Sequence, residues 1–225
     1  MIRTPLSERS LPDYTRGEEI FHMVSHIVGA AFGIVALILM LVTSALRQDP
    51  WALGSSLVYG LSLVLLYTMS SLYHGLKRPM AKKVMQVFDH CTIYFLISGT
   101  YTPILLCAIR EVSPVWTWTL FGLLWGLTAL AVTLTAIDLK ASARFSMICY
   151  IAMGWCILLA IKPALAAIPV PALWLILLGG VAYTVGAALY GLGKRRRYMH
   201  SVFHVFVLLG SVLQFVAVYA YIIIR

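Results

Sequence analysis

Seven long apolar stretches alternate along the chain with short polar or proline-bearing breaks, over residues 20–46, 51–74, 84–109, 115–137, 145–161, 171–192 and 200–224. A bilayer core about 30 Å thick requires about 20 apolar residues per helix, so the pattern predicts an all-α integral membrane protein, a seven-helix transmembrane bundle with short loops. The fifth stretch is the shortest and ends at Lys162-Pro163. In the third, Pro103 follows Thr100-Tyr101-Thr102, which predicts a kink whose freed backbone groups neighbouring hydroxyls satisfy. Residues 1–19 are polar and lack the continuous apolar core of a removable signal peptide, so they read as a short cytosolic tail ahead of a single domain over 20–225.

Composition narrows the class further. Of 225 residues, 61% are hydrophobic and 11% charged, with a mean hydropathy of +0.92, which excludes an ordinary soluble domain. Cys91, Cys107, Cys149 and Cys156 all fall inside apolar stretches without a CxxC pair, arguing against a disulfide framework or a thiolate zinc site. The net charge of +9 is explained by topology rather than nucleic acid. Thirteen basic residues fall in the tail and the second, fourth and sixth loops, against four on the opposite side. This asymmetry puts the amino terminus in the cytoplasm and the carboxyl terminus outside. The basic run 194–197 fits a stop anchor before the last span, with anionic head groups as a lesser alternative.

Ionisable residues inside spans are costly and point to function. All six histidines gather at the cytoplasmic end: His22 and His26 open span one, His74 ends span two, His90 follows Asp89 in span three, and His200 and His204 open span seven. His200 and His204 are spaced i, i+4, so their imidazoles leave one helical face a turn apart, as two ligands of one tetrahedral zinc would. Ser70 shares a face with His74 in the same way, and Asp89 lies at a similar depth. Three imidazoles and a water make an open catalytic zinc site, and a nearby carboxylate could deprotonate that water. His22 and His26 repeat the HxxxH spacing, with Glu18 and Glu19 upstream, and spacing alone does not choose between the pairs. An isolated HxxxH also arises by chance, and the HExxH of zinc proteases is missing. Span seven further carries Ser211 and Gln214 on the face of His200 and His204, while span two carries Tyr67, Ser70 and His74. Two such stripes facing each other would line a polar chamber inside the membrane.

Ser70-Ser71-Leu72-Tyr73-His74, Phe88-Asp89-His90 and His200-Ser201-Val202-Phe203-His204 resemble the SxxxH, aspartate and HxxxH motifs of the progestin and adipoQ receptor family. The short chain is similar to its bacterial hemolysin III branch, and the likeness runs from Glu19 to the last span. The resemblance implies a Zn2+ held by His74, His200 and His204 near the cytoplasmic face, with Asp89 and Ser70 acting on the water held there. Glu19 and His26 match a further motif of the family that is not usually assigned to the metal. Three departures stand out: His22 where asparagine is common, Ser25 where threonine is, and His90 after the aspartate.

Two functions follow from this reading. The first is a zinc-dependent intramembrane hydrolase of lipid amides or esters, taking its substrate laterally from the membrane and serving membrane-lipid homeostasis. The second is a non-enzymatic lipid-sensing receptor or regulator with a structural zinc. The family name suggests a pore former, but nothing in the chain resembles a secreted or water-soluble one. A proton-conducting transporter would be expected to show an internal repeat. Membrane lipids are the expected partners, nucleic acid is not, and the compartment is the bacterial cytoplasmic (inner) membrane.

Overall fold

The computed structural model describes residues 4–193 and 196–225; Arg3, Lys194 and Arg195 of the basic count lie outside the described residues. Seven helices among the described residues are long and apolar enough to span a bilayer: α1 (Arg16–Leu46), α2 (Pro50–Gly75), α3 (Pro79–Val112), α4 (Pro114–Ile137), α5 (Leu139–Ala167), α6 (Val170–Leu192) and α7 (Met199–Ile223). An odd number of spans leaves the two ends of the chain on opposite sides, as the loop charges require. The outward face carries large apolar side chains such as Val35, Ile38, Ile148 and Trp174, a surface suited to lipid rather than water.

α3 is the central helix, the most deeply buried of the spans described. Around it the core is built from Tyr59, Leu63, Tyr94, Leu105, Leu120 and Met153, all essentially inaccessible. α1 and α2 pack closely because small residues let them approach. A Cβ on Gly33 would stand 3.2 Å from the backbone nitrogen of Val64, and one on Gly29 would stand inside the Tyr67 ring.

Local chemistry sets the helix ends. α1 starts at Arg16, earlier than hydropathy suggests, because Thr15 and Glu18 form a reciprocal capping box. Asp138 caps α5 through the amides of Lys140 and Ala141, so this helix starts at Leu139 rather than at residue 145. α5 also runs past Lys162-Pro163, because Pro163 falls in the first turn of the segment Ile161–Ala167, where its missing N–H is not needed.

The two broken helices flank the interior. At Pro103 α3 passes into a π-helical stretch, Ile104–Ile109. The hydroxyls of Thr100 and Thr102 bond back to the carbonyls of Leu96 and Ser98, both at 2.8 Å. α5 breaks after Gly154 into a 3-10 segment, Cys156–Ala160. There the Tyr101 hydroxyl donates to the Gly154 carbonyl at 2.7 Å and accepts from the Ile157 amide at 3.0 Å, satisfying groups that the break frees. The four cysteines are free thiols, three of them buried, consistent with packing roles.

Candidate metal centre

Three helices bring histidines to one point at the amino-terminal end of α1. His22 and His26 lie in its early turns, His74 closes α2, and His200 and His204 open α7. The linker before α7 is positioned by Glu18, whose carboxylate accepts from the Tyr198 amide at 2.6 Å, while Tyr198 itself sits in the left-handed region (φ 62°). The capping box that starts α1 thus also places the start of α7.

His22, His74, His200 and His204 each offer a ring nitrogen, and the four atoms lie within 4.8 Å of one another. Nε2 of His200 and Nε2 of His204 face each other at 3.0 Å. Two nitrogens on a tetrahedral zinc, with bonds of about 2.0–2.1 Å, stand about 3.3 Å apart, so this pair fits a shared ion. His74 gives its Nδ1–H to Glu19 Oε2 at 2.7 Å, while Lys82 Nζ meets Glu19 Oε1 at 2.6 Å. That leaves His74 Nε2 buried and without a partner, as are Nδ1 of His22, His200 and His204. Each orphaned polar group buried in this way costs about 1–3 kcal/mol, which a coordinated cation would offset for those atoms that face it. The carboxylate–imidazole pair is also the arrangement that orients metal-binding histidines. The residues therefore fit a zinc ion.

Asp89 and Ser70, read from the sequence as the residues acting on water, both line a cavity of about 490 Å³ that also touches His200 and His204. The Asp89 carboxylate comes 3.7 Å from His90 Nδ1, whose hydrogen bond goes to the Gln86 carbonyl at 2.9 Å. His90 lies on the cavity wall and outside the group of four. His26 is buried with both ring nitrogens unpartnered, and its ring centroid is 3.8 Å from that of His204. The structure thus brings His22 beside the three expected ligands, while His26 stands next to the cluster.

The facing polar stripes meet. Tyr67 of α2 donates to Ser211 of α7 at 2.7 Å, and Tyr183 of α6 reaches the same hydroxyl at 2.8 Å. Gln214 continues the stripe, with Nε2 on the Ile176 carbonyl at 3.0 Å. A second cavity of about 360 Å³ shares Thr100, Tyr101, Trp155, Gly180 and Gln214 with the first and extends toward Ile168 and Trp174. α5 and α6 pack only sparsely against each other beside these cavities.

The tail covers the opposite end. Tyr14 stacks on His200 with centroids 5.1 Å apart and meets His22 edge-on. Burial pushes the Tyr14 phenol above its ordinary range, so it stays neutral. Residues 9–12 line the first cavity. The buried Arg9 donates to the Ile137 carbonyl at 2.8 Å, and the Thr4 amide to the Asp138 carboxylate at 3.0 Å. The backbone N–H of Thr4 is the largest influence holding the Asp138 carboxyl down at about 2.

A family model described as Haemolysin-III related matches residues 14–215. The chain belongs to that family. It is similar to Hemolysin-3 of Bacillus cereus, with 36% identity over 206 residues and 92% of each chain covered. It is also similar to the Hemolysin-3 homolog of Bacillus subtilis (strain 168), with 32% identity over 208 residues, covering 92% of this chain and 96% of the relative. Together with seven spanning helices, these relatives identify a multi-pass bacterial membrane protein.

Proposed function

We propose that this haemolysin-III family member is a zinc-dependent intramembrane hydrolase of lipid amides or esters, acting in membrane-lipid homeostasis from the cytoplasmic membrane. The observation that carries the reading is a buried group of four histidines, two of which, His200 and His204, line a mostly apolar cavity that also presents Asp89 and Ser70. His74, His200 and His204 would hold the ion, which when bound supplies Lewis-acid activation of water and of a carbonyl. Asp89 takes the proton of the attacking water. The Ser70 hydroxyl orients that water or donates to the developing oxyanion. The acyl chain enters past the sparse contact of α5 with α6 and lies along the apolar cavities.

One observation favours the second reading, a lipid-sensing regulator with a structural zinc. Structural sites are usually closed by four protein ligands, and His22 raises the number of candidate donors to four. Free fatty acid released by zinc-loaded purified protein from N-acyl amides and acyl esters separates the two. The hydrolase reading expects zinc-dependent release, abolished in His204→Ala and strongly reduced in Asp89→Asn. No release from either substrate class by zinc-loaded protein would sink it and leave the regulator.

A further inference from the structure

The three-ligand assignment leaves His22 without a role. Its ring is fully buried, with centroids 4.5 Å from His74 and 4.7 Å from both His200 and His204. Nε2 meets the Ser201 hydroxyl at 2.9 Å. Nδ1, equally buried, has no partner. Buried imidazoles in a packing role normally satisfy both nitrogens. One nitrogen hydrogen-bonded and the other bare, in a ring that offers a nitrogen within 4.8 Å of those of three further histidines, is the pattern of a metal ligand with its outer partner. His26 provides the contrast on the same helix, for neither of its nitrogens is held and it falls outside the group of four.

We propose that His22, through Nδ1, is a fourth and exchangeable ligand that closes the metal site at rest; the inference rests on the zinc reading above. The other three are held in other ways. His74 is fixed by the Glu19 carboxylate, itself paired with Lys82, and charge-assisted hydrogen bonds are roughly twice as strong as neutral ones. His200 and His204 leave one helix a turn apart, so each keeps the other near the ion. His22 is anchored on its outer side by the neutral hydroxyl of Ser201. It is therefore the ligand that gives way when a substrate carbonyl, a water or a small anion requires a coordination position. The resting site is closed to small anions, and loosening His22 opens it.

The test uses full-length protein loaded with cobalt(II), whose visible spectrum reports coordination number, titrated with azide as a small anionic probe. In wild type the spectrum is that of a four-coordinate site and azide leaves it nearly unchanged. In His22→Gln the loaded metal answers to azide. Ser201→Ala, which keeps every ligand, responds at an azide concentration about fivefold lower than wild type, the effect of losing one neutral hydrogen bond. Should His22→Gln fail to fold, the comparison of Ser201→Ala with wild type decides the matter. Metal-loaded wild type that responds to azide as readily as either variant overturns the inference while leaving the zinc site in place. Wild type that takes up neither cobalt nor zinc overturns both.

Discussion

Glu19 offers the sharpest prediction about His74 as a proposed metal ligand. Its carboxylate accepts the His74 Nδ1–H at 2.7 Å, fixing the tautomer and leaving the buried Nε2 free. Outer partners of this kind are worth about 10–100-fold in metal affinity, or about 1.4–2.7 kcal/mol. Glu19→Ala removes the whole interaction and is expected near the upper end of that range. Glu19→Gln keeps an acceptor for Nδ1–H but loses the charge, and is expected near tenfold. Lys82→Ala breaks a partly exposed ion pair with the same carboxylate, worth about 0–1 kcal/mol, so its effect stays within about fivefold. Zinc affinity measured by competition with a chromophoric chelator in detergent ranks the three variants. Their thermal unfolding without metal controls for general damage. Wild-type affinity in Glu19→Ala would refute the reasoning, as would a larger loss in Lys82→Ala than in Glu19→Gln.

Three further expectations concern the bundle and its cover. Tyr101→Phe removes both hydrogen bonds at the break in α5 and should cost about 1–3 kcal/mol, read as a lower midpoint in detergent unfolding; an unchanged midpoint would mean the break is satisfied in another way. Gly29→Ala drives a methyl into the buried Tyr67 ring and should cost about 1–3 kcal/mol in the same assay, and a neutral result would show that α1 and α2 can separate freely. Asp138 is depressed to about 2, so its contribution to tail docking is complete above the unfolded-state value of about 3.9 and is lost as pH falls through about 2. Protease protection of the tail should accordingly decline below about pH 4 in wild type, and in Asp138→Asn it should be weak throughout; equal protection of the two proteins at neutral pH would contradict this.

The spans were readable because continuous apolar runs of membrane length carry little ambiguity, and His74, His200 and His204, singled out by the family resemblance, lie close together with His22. The helix ends were less legible. The true start of α5 depends on Asp138 as a cap, and its persistence past Lys162-Pro163 depends on where a new first turn begins. The break after Gly154 is met by Tyr101, more than fifty residues away, a tertiary partner that no local pattern reveals. At the site, His22 and His26 have equivalent spacing, and only the rotation of α1 decides which enters the cluster. A signal for that rotation did exist. Thr15-x-x-Glu18 is a capping-box pattern that marks the helix start, and Glu18 then ties that start to the linker preceding His200. The role of the tail was not legible, since its docking rests on an isolated arginine and on an aspartate 134 residues from Thr4.

Everything proposed for the site requires that the buried histidines hold a metal. Elemental analysis by mass spectrometry of protein purified in detergent without chelator, wild type beside His204→Ala, tests it most directly. Wild type is expected to carry about one zinc per chain and His204→Ala to lose it with the fold retained. Wild-type protein without metal, or equal zinc in both proteins, would contradict it.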